Sequence, residues 1–260
     1  GLPFINIWSH LVGIQVSVST LYYYDQSGGL LYLEDFGDVT LADAVSRADQ
    51  AQVKSRYRQA IDVLVQMQVH ATKANDHTCL AFHRGFDAPL LMWEFEHFLE
   101  YGVEVRNGHP LADVDAEAIR AVFKNIADQL AGQPRIFTHR DYHSRNLMVD
   151  GARLGVIDFQ DALMGPATYD LASLVRDAYI QLDEALVDEL VEYYQDQMTA
   201  QGVGGIDRAA FRRVFDLTSI QRNLKAAGRF VYIDRAKGNP KFLADIPRVL
   251  SYVKRNLEKY

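Results

Sequence analysis

Apolar positions along this chain fall into two kinds of pattern. Near-3.6 periodicity marks Gln50–Val69, where Tyr57, Ile61, Leu64, Val65 and Gln68 share a face, and Asp115–Leu130, where Ile119, Val122, Phe123, Ile126 and Leu130 form one stripe that Gly132 ends. Glu184–Ala200 repeats the pattern through Leu186, Leu190, Tyr194 and Met198, and helices also fit Arg208–Val231 and Pro247–Glu258. Pro3–Gly13 carries Phe4, Ile5, Ile7, Trp8, Leu11 and Val12 and reads as a short packed helix. β-branched and aromatic clustering marks Val16–Tyr24, which Ser27-Gly28-Gly29 turns into a second strand at Leu30–Leu33. Leu147-Met148-Val149 and Leu154-Gly155-Val156-Ile157 are a further pair of strands around the turn Asp150–Arg153.

The order is therefore small sheet, connecting segment, helices, a hairpin, and more helices. A Rossmann-type sheet, with strands and helices alternating throughout, does not fit that order.

The hairpin stands next to the chain's densest chemistry. In His139-Arg140-Asp141-Tyr142-His143-Ser144-Arg145-Asn146, an Asp precedes an Asn by five residues, and Asp158 follows that Asn by twelve. Kinase-type phosphoryl transfer needs one carboxylate to orient and deprotonate the attacking hydroxyl, and an amide oxygen plus a second carboxylate to hold Mg²⁺ on the phosphates. A hairpin with Asn146 at its entrance and Asp158 at its exit brings those groups together. Asp141 is the candidate base, with His143 beside it as a second catalytic candidate that contacts substrate or phosphate, and Asn146 and Asp158 are the candidate metal pair. His139 reads as a residue that holds the loop by packing and hydrogen bonding.

These blocks, with Val156–Asp161 (VIDFQD) and Gly165-Pro166-Ala167-Thr168-Tyr169-Asp170-Leu171-Ala172, resemble the aminoglycoside phosphotransferase family. Gln221–Lys225 and Phe242–Arg248 are similar to its bacterial cell-wall amino-sugar kinases, which phosphorylate the anomeric hydroxyl of N-acetylmuramate or N-acetylglucosamine. The resemblance implies an α+β, protein-kinase-like two-lobed fold. Residues 1–37 would be an incomplete N-terminal β lobe and 38–260 a mainly helical C-terminal lobe, with a hinge at 34–38 whose backbone at Glu34, Asp35 and Phe36 binds adenine. It implies ATP and Mg²⁺ as cofactors and Asp170 as the carboxylate that anchors the catalytic loop through backbone donors. It gives Asp161 a contact to metal or substrate.

Acceptor contacts are expected from Trp93, Glu94 and Glu96, which combine an aromatic face with carboxylates, although Trp93 and Phe98 also fit a helical core. Arg222 and Lys225 would meet a lactyl carboxylate, or are a basic surface pair. A glycine-rich hairpin and a strand-borne Lys are not visible: the first Lys is Lys54, inside a predicted helix. The expectation is a polypeptide that begins part-way through the small lobe and is weak or inactive by itself, with an unpaired sheet edge that leads to a homodimer or a disordered N-terminus. Other readings are an aminoglycoside, choline or homoserine kinase, a nucleotide-binding relic, and a metallohydrolase built on His139-x-Asp141-x-His143.

Composition narrows the partners. A net charge of −7 with no basic run longer than two residues argues against nucleic acid. One cysteine, Cys79, rules out an internal disulfide and a cysteine-rich zinc site. The expected place is the cytoplasm, with no membrane span and a small-molecule acceptor as partner.

Overall fold

The computed structural model describes residues 2–204 and 207–260. Helix α1 (Pro3–Gly13) has proline in its first turn and buries Ile7 and Leu11. A hairpin follows, β1 (Leu21–Asp25) and β2 (Leu30–Leu33), antiparallel, with Gly29 at φ 67° in its turn. Tyr22, Tyr23, Leu30 and Tyr32 on it are exposed.

The run from Val16 was expected to be strand throughout, yet only its end is. Gln15 sits at φ 61°, and the Val16 N–H is already taken by the Leu11 carbonyl at 3.0 Å. Val16 and Val18 drop into the core instead, and Val18 makes one parallel bridge to Val156. The β-branched cluster was a packing signal there, not a strand signal.

Residues 34–40 run without regular structure to α2 (Leu41–Val45), which opens with a Thr40/Asp43 capping box. This strap is fixed to the later hairpin β4 (Leu147–Asp150) and β5 (Arg153–Val156), where Val149 N–H donates to the Val39 carbonyl at 2.8 Å. The Phe36 ring lies against Gly155 so closely that a Cβ at residue 155 would stand 2.6 Å from it.

Helix α3 (Gln50–Ala74) opens on an Asp49/Gln52 capping box and ends at Asn75 in the left-handed region. Next come α4 (Ala88–His97), a π-helical stretch (Phe98–Val105) and α5 (Asp113–Ala131). β3 (Arg135–Thr138) pairs antiparallel with β6 (Leu163–Pro166), flanking β4 and β5 in sequence. Helices α6 (Thr168–Val175), α7 (Glu184–Ala200), α8 (Arg208–Lys237) and α9 (Ile246–Leu257) complete the fold. α8 starts at an Asp207 cap and ends at Gly238, φ 65°.

The main core joins α1, α3, the β4–β5 hairpin, α6 and α7, and a second lies between α4, α5, α8 and α9. The π-helical stretch crosses α8 at Gly228, where a Cβ would meet the Phe98 Cα at 2.7 Å. α8 also packs against α4 and α9 in the second core.

Candidate active site

The segment His139–Asn146 leaves β3 and enters β4, and its conformation is held from several sides. Arg140 lies at φ 82°, a left-handed conformation that costs a non-glycine residue of order 1–3 kcal/mol. Asp170, fully buried on α6, compensates: one carboxylate oxygen accepts the His139 N–H at 2.7 Å, the other the Arg140 N–H at 2.9 Å. Burial pushes the Asp170 pKa up to about 7 against those two hydrogen bonds. Tyr142 is buried and donates to the Ala60 carbonyl of α3 at 2.8 Å. Ser144 N–H donates to Asp177 at 2.9 Å, and its hydroxyl bonds the same carboxylate oxygen.

His139 is wholly buried, and burial holds its pKa down at about 4. Nε2 lies 3.0 Å from the Ile157 carbonyl, while Nδ1 takes the Asp141 N–H at 3.3 Å. A carbonyl only accepts, so the ring is neutral with its proton on Nε2. Both nitrogens are occupied, which removes His139 as a zinc ligand. Among the described residues no group of three His, Cys, Asp or Glu side chains is placed to hold a metal.

Asn146 and Asp158 do meet. The Asn146 amide donates to the Asp141 carbonyl at 2.9 Å and to Asp158 Oδ2 at 3.3 Å. Asn146 Oδ1 takes no hydrogen bond among the described residues, and Asp158, at φ 64°, is exposed. An unengaged amide oxygen beside an exposed carboxylate is a donor set that suits Mg²⁺, which binds few protein oxygens and keeps waters and phosphates as its other ligands. Asp161 is exposed in the turn beyond.

Asp141 opens on a cleft of about 660 Å³, counting space open to solvent, lined by His143, Tyr179, Arg222, Lys225, Arg229, Phe230 and Phe242 among others. Burial alone would raise the Asp141 pKa, but Lys225 and then Arg222 outweigh it and hold the carboxylate at about 2. Arg222 Nη1 is 3.8 Å from Asp141 Oδ1. His143 packs edge-on against Tyr179, and its Nδ1 is buried without a hydrogen-bond partner.

Several residues expected at the site lie elsewhere or act inward. The Glu94 side chain is fully buried, with Oε1 bonded to Lys225 at 2.9 Å and Arg140 at 3.2 Å, and Oε2 to Gln221 at 2.8 Å. Fully buried and outside the residues that line the cleft, it does not meet a sugar hydroxyl there. Glu96 is clasped by Arg120, Nε to Oε1 at 2.8 Å and Nη2 to Oε2 at 3.0 Å. Trp93 is 60% exposed and stacks on His97, outside the residues that line the cleft. Lys225, paired with Glu94, is not the free cation the sequence suggested.

In the strap, the Glu34 carboxylate accepts from Thr20 and pairs with Arg153 at 2.6 Å, and that hydrogen bond, with those from Thr20, lowers its pKa to about 2. Phe36 is buried, with the Arg153 guanidinium 4.6 Å from its ring centre. Asp35 accepts the Gly37 N–H at 2.8 Å. These contacts fix the shape of the strap.

Sequence reasoning passed over Asp177, Tyr179 and Arg229. Asp177 accepts the Tyr179 N–H at 2.9 Å as well as the Ser144 N–H, so it ties the His139–Asn146 loop to the aromatic wall of the cleft. Its place seven residues after Asp170 was the available signal.

The family model of the phosphotransferase enzymes covers residues 3–211. The chain belongs to that family. It is 34% identical over 252 residues to an N-acetylmuramate/N-acetylglucosamine kinase of Pseudomonas putida, covering 96% of this chain and 71% of that protein. A kinase of the same name from Neisseria meningitidis is 33% identical over 247 residues, covering 94% and 72%. Among solved structures, a choline/ethanolamine kinase family protein from Mesorhizobium loti superposes with a TM-score of 0.66 at 14% identity, over 98% of this chain and 78% of that one. An aminoglycoside 2'-phosphotransferase in complex with GDP gives 0.59 at 15%, over 100% and 82%. The phosphotransferase therefore has the fold of nucleotide-using small-molecule kinases. No helix among its described residues is long and apolar enough to cross a membrane.

Proposed function

We propose that this phosphotransferase moves the γ-phosphoryl group of ATP to the anomeric hydroxyl of N-acetylmuramate or N-acetylglucosamine. The observation that carries the reading is the approach of Asn146 and Asp158 beside an ionised Asp141 at the floor of the cleft. The choice of an amino sugar over an aminoglycoside or choline rests on the relatives named N-acetylmuramate/N-acetylglucosamine kinase at 34% and 33% identity.

In this reading the acceptor hydroxyl lies against Asp141, which fixes its direction and takes its proton as the bond to phosphorus forms. A carboxylate with a pKa near 2 is a weak base, which suits a loose transition state where the proton leaves late and orientation matters most. His143 Nδ1 offers a second hydrogen bond to the same end of the acceptor. Asn146 and Asp158 would hold Mg²⁺, which supplies charge neutralisation along the phosphates. The backbone of residues 34–36 would take the adenine edge, between an N-terminal part at 1–37 and a helical part at 38–260. Phe230 and Phe242, stacked 5.5 Å apart, with Tyr179 beside them, give the acceptor an apolar wall.

The test is transfer itself. The protein is incubated with Mg–ATP and, separately, N-acetylmuramate, N-acetylglucosamine, kanamycin or choline, and the products are read by phosphorus NMR. An anomeric sugar phosphate is the expected product. Transfer to kanamycin or choline with none to either sugar would overturn the reading.

A further inference from the structure

Four cations line the acceptor cleft, and three are already balanced. Arg176 grips Glu184 with both guanidinium nitrogens at 2.5 and 2.7 Å, Lys225 pairs with Glu94 at 2.9 Å, and Arg222 faces Asp141 at 3.8 Å. Arg229 is the exception: among the described residues no carboxylate lies within 4 Å of it. Its guanidinium rests over the Tyr232 ring, 4.8 Å from the centre, and the residue is exposed. Stacking of this kind orients the planar group and leaves its edge N–H donors open.

The helix dictates where that charge stands. Arg222, Lys225 and Arg229 follow the i, i+3, i+7 spacing of one helical face, so Arg229 lies ~10 Å along α8 from Arg222. Asp141 is beside Arg222, at the inner end of this stripe. The Gly228 contact with Phe98 holds the helix at that crossing, one residue before Arg229. A ligand that places a hydroxyl on Asp141 and extends along the stripe reaches an uncompensated guanidinium at its far end.

We infer that Arg229 binds a carboxylate on the acceptor, so the cleft selects an acidic amino sugar over its neutral counterpart. The inference rests on the amino-sugar reading above. N-acetylmuramate differs from N-acetylglucosamine by a lactyl ether that ends in a carboxylate, and this group separates the two sugars. A planar, pre-oriented guanidinium matches a carboxylate with two parallel hydrogen bonds. Lys225 cannot do so without abandoning the buried Glu94.

The experiment is calorimetric binding of N-acetylmuramate and N-acetylglucosamine to the wild type, Arg229→Gln and Arg229→Lys. The wild type should bind the acid ~10–100-fold more tightly, the value of a charge-assisted hydrogen bond. Arg229→Gln should lose most of that preference, and Arg229→Lys should keep part of it. An undiminished preference in Arg229→Gln, equal binding of both sugars by the wild type, or binding of neither would overturn the inference. Circular dichroism of each variant confirms that it is folded, and any preference is read as a ratio within one protein. Binding preference without phosphoryl transfer would remove the kinase reading and leave the role of Arg229 standing.

Discussion

The Asp170 carboxylate accepts the Arg140 N–H at 2.9 Å, and this bond holds Arg140 at φ 82° one residue before Asp141. The direction of Asp141 is thus set from α6, thirty residues later in the chain. Asp170→Ala would leave two backbone donors unpaired, one of them on a fully buried residue, at a cost of ~2–5 kcal/mol. Asp170→Asn keeps one acceptor oxygen and should cost about half as much. Chemical denaturation ranks the two variants, and an Asp170→Ala protein as stable as the wild type would show that the loop is held some other way.

His139 gives a stability effect with a definite sign. Its folded pKa, about 4, lies below the unfolded value near 6.5. Between those pH values the unfolded chain binds a proton that the folded chain refuses, so the contribution is present above pH 6.5 and lost as pH falls towards 4. The stability difference between wild type and His139→Asn should therefore shrink by ~3 kcal/mol from pH 6.5 to pH 4. Asp170, raised to about 7, acts in the opposite direction in both proteins and cancels in that difference. A difference that stays constant across the window would mean His139 titrates normally.

Much of this was legible in the sequence, for reasons that differ between elements. The β4–β5 hairpin and the helices at 3–13 and 184–200 appear as expected because local patterning and packing agree there. The pairing of β3 with β6 was not legible: Arg135–Thr138 is four residues long, and its partner lies beyond the catalytic hairpin. At the site, the spacing anticipated that Asn146 and Asp158 would meet, and Asp141 lies on the cleft beside them. The burial of Glu94 was not legible, because a carboxylate beside a tryptophan reads as a surface contact until the fold brings Lys225, Arg140 and Gln221 around it.

That buried cluster predicts an effect on Asp141, the proposed base. Lys225→Met removes the largest of the charges that hold Asp141 ionised, so the Asp141 pKa should rise from about 2. The acid limb of the pH–rate profile should then move to higher pH in the folded variant. A limb that stays in place would separate Lys225 from the ionisation of Asp141.

Breaking the cluster at its centre should be costly in a different way. Glu94→Ala strands Lys225 and Arg140 without their carboxylate, and losing one partner of a buried pair costs ~3–5 kcal/mol. Glu94→Gln keeps the shape and loses the charge, and it should fall between. Midpoints of urea unfolding measure both, and a near-neutral Glu94→Ala would place this network in solvent.

The most direct measurement is the rate of phosphoryl transfer from Mg–ATP to N-acetylmuramate by Asp141→Asn and wild type, with ATP affinity followed in parallel. The account predicts a loss of ~10²–10⁴ in rate with nucleotide binding retained. Transfer by Asp141→Asn at the wild-type rate would contradict it.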